Sequence, residues 1–191
     1  MLPPGAPEFS VWFRQFRRSC FRLETLQRYG ASGEDDSIRA FLAGQNPRPH
    51  PGKREWMALV GAATGDGRTM QRVHVVIEPL TDYIGFEVAW SYAHSVAAGE
   101  DVRIISLADG EGWPPGVPAR DFWLFDDTEL FDMRYDVDGT WIGVVHLTDP
   151  DAAAVACRQR AAALSLGQPW AAYVRERPEL ARRVPAAQWP H

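Results

Sequence analysis

Cysteine is scarce. Cys20 and Cys157 are the two in 191 residues, and they stand far apart with no Cys-x-x-Cys between them. That spacing argues against a disulfide framework and a thiolate zinc site, and it fits a reducing, cytoplasmic setting. Long apolar runs are also missing. None approaches the roughly 18 residues that a spanning helix needs, so no membrane association is expected. Met1-Leu-Pro-Pro-Gly5 shows no basic run ahead of an apolar stretch, and no secretory signal is expected. A basic excess is missing too. The formal net charge is -5, which disfavours direct nucleic-acid binding. The phosphate loops GxGxxG and GxxxxGKS/T, the zinc motif HExxH and the G-x-S-x-G elbow do not occur. No cofactor or metal is therefore expected, and no reaction is named.

What is present suits one folded core. Hydrophobic residues make up 46% and charged residues 24%, which argues against global disorder. Phe9, Trp12, Phe13 and Phe16 recur at helical spacing, with Arg14, Arg17 and Arg18 on the other side. Phe21 to Leu26 alternates apolar and charged residues as a strand or extended connector. Ser32 and Asp35 read as a variant capping box for a short helix through Phe41 that stops at Gly44. Pro47, Pro49 and Pro51 then mark a linker. The reading divides the chain into an N-terminal helical arm with linker (1–52), an α/β core domain (53–168) and a C-terminal tail (169–191).

Within that core, Arg54 to Thr64 reads as a helix and Met70 to Ile77 as a buried strand. His74 in that strand reads as a satisfied core histidine. Thr81 to Ala98 is the longest helical pattern, with Thr81 as its N-cap. Val102 to Ile105 is a second strand, so strand, helix and strand form a βαβ unit with parallel strands. Ser106 to Arg120 is a long loop rich in glycine and proline. Asp121 to Thr148 is the most clearly patterned stretch: three short strands, the last two joined by a Val137-Asp138-Gly139 turn. Asp149-Pro150-Asp151 caps a helix from Ala152 to Leu166. The expected fold is α/β: a small mixed sheet with a βαβ unit, a β-hairpin region, a C-terminal helix and an N-terminal helical arm.

The candidate site comes from helix geometry. With residues about 100° apart, Glu87 and His94 fall on one edge of the long helix beside Tyr83 and Trp90. Ligands in open α/β sheets collect at the carboxyl ends of strands. That adds Arg103 on the second strand and Asp121, Trp123 and Asp126 after the long loop. The ligand-binding set is Tyr83, Glu87, His94, Arg103, Asp121, Trp123 and Asp126, of which at least three are expected to share one cavity. In the opposing account Arg103 pairs with Asp121 or Glu87 and fills a closed core. Asp126, Asp127, Asp132, Asp136 and Asp138 carry the oxygens that a hard cation takes, but a cation site needs several of them to converge, and they read as solvated turn carboxylates.

Five segments carry a family resemblance: Phe21 to Leu26, Ile77 to Tyr83, Ala98 to Arg103, Asp121 to Asp127, and Tyr135 to Gly139. Together they resemble an actinobacterial family catalogued as a domain of unknown function. The resemblance covers roughly Phe16 to Leu166. It implies a neighbouring helix-turn-helix regulator as partner and supplies no catalytic residues. The element order also resembles half of the phospholipase D fold. Asp121 and Trp123 stand where that fold carries its histidine and lysine, so its phosphodiester chemistry is not implied. The resulting expectation is a non-enzymatic accessory or regulatory protein that works with a DNA-binding regulator or senses a small ligand. The alternative is a small biosynthetic or hydrolytic enzyme using a carboxylate and histidine pocket.

Because DNA affinity draws on cation–phosphate contacts, the isolated protein is expected to leave DNA unretarded at physiological salt. A salt-sensitive mobility shift would reassign Arg14, Arg17 and Arg18 from a solvated face to a contact surface.

Overall fold

A computed structural model describes residues 1–30 and 34–188. Seven strands form one mixed sheet in the order β6-β5-β4-β1-β2-β3-β7. They are β1 (Ser19–Glu24), β2 (Thr69–Glu78), β3 (Asp101–Ala108), β4 (Phe122–Phe125), β5 (Glu129–Tyr135), β6 (Trp141–Leu147) and β7 (Gln168–Pro169). β1, β2 and β3 run parallel, and β4, β5, β6 and β7 pair antiparallel to their neighbours. The expected α/β fold with its βαβ unit and hairpins is observed.

The pleat assigns the two faces, because alternate residues of a strand point to opposite sides. Phe21, Leu23, Val73, Val75, Ile105, Leu107, Phe122 and Leu124 pack on one side. Helix α7 (Pro150–Leu166) covers them through Ala156 and Ala163. The other face divides in two. Cys20, Met70, Trp123, Phe125 and Phe131 meet α1 (Pro7–Ser10), α2 (Trp12–Gln15) and α4 (Pro51–Gly65). Val76, Val102 and Ile104 meet the long helix and α8 (Trp170–Arg175).

The segments expected at the periphery contribute to the sheet. β1, from the expected arm, lies between β4 and β2. The expected helix around Phe9 to Phe16 is two short turns that lead into this strand. β7 straddles the expected start of the tail and adds to the edge of β3, and Trp170 of that tail is buried. The expected linker is shorter than the prolines suggested. Pro51 opens α4, where a missing N–H costs nothing, and His50 caps it by accepting from Lys53 N. The helix expected after Ser32 is α3 (Asp35–Leu42), with Glu34 at its N-cap. Ser32 itself lies outside the described residues.

The long helix has three parts: α5 (Asp82–Phe86), a π-helical turn (Glu87–Ser91) and α6 (Tyr92–Ala97). Thr81 caps it as expected, its Oγ1 accepting from Ile84 N at 3.1 Å. Side chains take two carbonyls of the π turn. Trp170 Nε1 donates to Val88 O at 2.7 Å and His94 Nδ1 to Trp90 O at 2.8 Å. Among the described residues no helix is long and apolar enough to cross a membrane.

Trp170 is thus both core filler and partner for the π turn. Trp170→Ala is expected to cost about 3–5 kcal/mol, read by chemical denaturation, because it opens a cavity and strands the Val88 carbonyl. An unchanged midpoint would return residues 169 onward to the status of a loose tail.

Candidate functional site

The face under the long helix carries charge in the middle of its strands. Arg22 sits opposite Arg72, Glu24 opposite His74, and Trp123 opposite Arg22. The alternation that sends Phe21 and Leu23 to the α7 side sends these to the other. Arg22, Glu24, His74, Glu100 and Asp121 are buried. Arg22 Nη2 donates to Asp121 Oδ2 at 2.8 Å and to the Tyr135 hydroxyl at 2.7 Å. Arg72 lies 2.8 Å from both Glu24 Oε2 and Glu100 Oε1. Asp121 also accepts from Thr25 N, Thr25 Oγ1 and the Tyr29 hydroxyl. Burial acts to protonate Glu24, but Arg72 and Arg22 outweigh it and hold that carboxylate far below its usual range. His74 is fully enclosed. Its Nε2 donates to Leu26 O at 2.9 Å, its Nδ1 meets the Tyr92 hydroxyl at 2.6 Å, and burial lowers its pKa. This is the satisfied core histidine that the sequence suggested.

Above this layer lies a cavity of about 610 Å³, within the ~300–1,000 Å³ of small-molecule sites. The sheet supplies Arg22, Glu24, Arg72, Trp123 and Tyr135. Helix α4 supplies Lys53 and Trp56, and the long helix supplies Tyr83, Glu87, Ser91, Tyr92 and Ser95. Phe9 and Phe13 come from the N-terminal turns. The Arg22 and Arg72 guanidiniums lie 5.3 and 5.8 Å from the centroid of the Trp123 ring. Arg72 also lies 5.7 Å from Trp56 and 5.6 Å from Tyr92. The walls are therefore aromatic, and the floor is polar but almost fully paired.

Two polar groups are left over. Arg22 Nη1 is buried without a hydrogen-bond partner. Glu87 is buried, and its carboxyl makes no side-chain hydrogen bond or salt bridge to a described residue; its backbone carbonyl is taken by Tyr92 N. Burial pushes the Glu87 carboxyl well above the usual carboxylate range; Glu34 adds to the push, while Lys53 opposes it. Burial pulls Lys53 the other way, below the usual amine range, against the pull of Glu87 and Glu100. Lys53 Nζ is 2.9 Å from both Ser91 Oγ and Ser95 Oγ. A carboxyl and an amine whose proton affinities converge inside a cavity are the groups that acid–base and covalent chemistry use.

Of the residues expected from sequence, Tyr83, Glu87 and Trp123 line this cavity. Asp121 lies directly behind it, holding Arg22, Tyr29 and Tyr135. The other three point elsewhere. His94 packs on Trp90, with ring centroids 4.7 Å apart, and serves the helix backbone. The π turn is the reason. One extra residue in the turn carries Ser95 to the position that a regular α-helix would give His94. Arg103 is opposite Val73, on the α7 face, and reaches Asp101 and the Leu164 carbonyl. It pairs with neither Asp121 nor Glu87. Asp126 accepts backbone N–H groups from Arg17, Arg18 and Ser19 and so ties down the start of β1. Asp132 pairs with Arg120 and Arg134, while Asp136 closes its own turn. Among the described residues no group of three or more His, Cys, Asp or Glu side chains is placed to hold a metal.

Sequence reasoning missed Arg22, Glu24, Arg72, Lys53, Ser91 and Ser95. Two signals were available. Charged residues of matching parity interrupt otherwise apolar strands at Arg22, Glu24, Arg72 and His74. And of the 20 Lys and Arg residues, one alone is lysine: Lys53.

The chain matches the family described as Domain of unknown function (DUF6879) over residues 7–175 and belongs to that family. The match runs through β1 and into α8, across both expected domain boundaries. No curated protein matches the chain by sequence.

Glu87 should cost the fold stability. Above an ordinary carboxylate pKa of about 4.3 the unfolded chain releases this proton while the folded chain keeps it, so stability falls as pH rises. Glu87→Gln is therefore expected to raise the melting temperature, by little near pH 5 and by more near pH 8, in calorimetry or circular dichroism. A gain that does not grow with pH would mean that the Glu87 carboxyl is ionised when folded.

Proposed function

We propose that the cavity binds a small, mostly planar organic ligand, and that the protein is a non-enzymatic accessory or regulatory protein that senses it. One observation carries this reading: an aromatic-walled space of about 610 Å³ with an arginine-bearing floor, into which the long helix presents the Glu87 carboxyl without a side-chain hydrogen bond. Buried polar groups are normally satisfied, and leaving one unmade costs about 1–3 kcal/mol. A ligand with a polar atom for Glu87 recovers that cost, while Trp56 and Trp123 supply stacking area.

The helix-turn-helix regulator implied by the family resemblance is the partner we propose to read ligand occupancy, in a cytoplasmic, actinobacterial setting. With a formal net charge of -5, the chain leaves DNA contact to that partner. The looser likeness to phospholipase D adds no activity, since Asp121 and Trp123 replace the reacting pair. A small enzyme is the second reading. It is favoured by the contacts of Lys53 with Ser91 and Ser95 in the cavity that also holds Glu87.

Native mass spectrometry of protein purified from its host is expected to show a bound small molecule that is lost on denaturation. Ser95→Met, which fills the cavity from the long helix, is expected to fold and to purify without it. A host-purified protein carrying no added mass, and unresponsive to aromatic ligands by tryptophan fluorescence, would sink the reading.

A further inference from the structure

Positive charge in this chain is arginine everywhere but at one position. Arginine keeps its proton at any accessible pH, whereas a buried lysine can give its proton up and become a nucleophile. The single lysine is not spent on the surface. Lys53 is 6% exposed, lines the cavity from the first turn of α4, and makes its side-chain hydrogen bonds to Ser91 and Ser95. A neutral amine has two hydrogens and one lone pair. With the hydrogens on the two serine oxygens, the lone pair is unengaged. Glu87 is on the same helix as both serines and lines the same cavity, and its carboxyl makes no side-chain hydrogen bond to a described residue.

We propose that Lys53 captures a carbonyl ligand covalently as an imine, and that the ligand is an aromatic or conjugated aldehyde or ketone seated between Trp56, Trp123 and the tyrosines. This rests on the cavity being a ligand site and specifies what it takes. The amine lone pair attacks the carbonyl carbon, forming the C–N bond as the C=O π electrons move to oxygen. A proton passes from nitrogen to that oxygen and gives the neutral carbinolamine. Glu87 donates its proton to the hydroxyl, the C–O bond breaks, water leaves, and the nitrogen lone pair closes the C=N bond. The products are water, a protonated imine on Lys53 and a Glu87 carboxylate. The new cation and anion share the cavity, so the charge created by the reaction is compensated where it forms. No oxidant or reductant is needed. Burial shifts Lys53 and Glu87 toward the neutral amine and the neutral acid from which this sequence starts.

Lys53 is the single lysine, and in the protein as tested the α-amine sits on Met1, a residue 76% exposed. Met1 is thus a built-in reference for surface reactivity. The wild-type protein is incubated with 2-naphthaldehyde and cyanoborohydride near neutral pH and peptide-mapped. The reduced adduct is expected on Lys53 at least about tenfold faster than on Met1. Glu87→Gln is expected to slow trapping at Lys53 by about tenfold or more, the scale of a lost general acid. Binding of 2-naphthalenemethanol, which has the same rings and no carbonyl, is read by tryptophan quenching in the wild-type protein. If the alcohol binds but the aldehyde adduct forms only on Met1, the imine proposal is overturned and the ligand site stands. If neither compound binds, both fall.

Discussion

The site depends on a charge-compensated layer buried in the sheet. Removing an ion from water costs several kcal/mol, and the attraction to a partner repays it only when the remaining hydrogen bonds are also met. Here they nearly are. Asp121 accepts from Arg22, Thr25, Tyr29 and Tyr135, and Arg72 bridges Glu24 and Glu100. These bonds tie together β1, β2, β5, the turn into β3 and the start of β4, which are distant in sequence. They also give the cavity a rigid polar floor. An apolar sheet face of the same size would be filled by the helices above it. A charged one, capped by planar guanidiniums against Trp123, leaves space there.

The roof depends on the π turn. Without it, the seven-residue spacing would put His94 in line with Glu87. With it, Glu87, Ser91 and Ser95 face the cavity together, and His94 is turned to the helix backbone and Trp90. Such a turn strains the hydrogen-bond ladder and persists only where other groups take its carbonyls. Trp170 takes one of them, from a part of the chain that looks peripheral in sequence. The C-terminal segment and the site are in this way one structural unit. Glu87 adds a second local cost, a buried carboxyl held without a side-chain hydrogen bond. Groups that cost stability and remain in a well-packed fold mark places where binding or chemistry sets the requirement.

Much of the architecture was legible. Periodicity located β2, β3 and the three strands from Phe122 onward. Capping chemistry located the starts of the long helix and of α7. The placement of β1 was not legible. A six-residue strand with apolar residues on one face and charged residues on the other reads as an edge or a connector. Only the pairing of its charges with Asp121, Arg72 and Tyr135 lets it sit in the middle. Arg103 shows the same limit in reverse. Its position on a central strand was readable, but the register that turns it toward α7 was not.

The sequence by itself determined the α/β class, the alternation that separates an apolar face from a charged one, and the presence of Tyr83, Glu87 and Trp123 on elements able to share a space. It also held the single lysine in plain view. Tertiary structure decided which charges meet, because pairing across strands depends on register and not on spacing along the chain. It decided as well that Ser91 and Ser95 join Lys53 while His94 does not. That outcome depends on one extra residue in a helical turn, stabilised by a tryptophan 82 positions away.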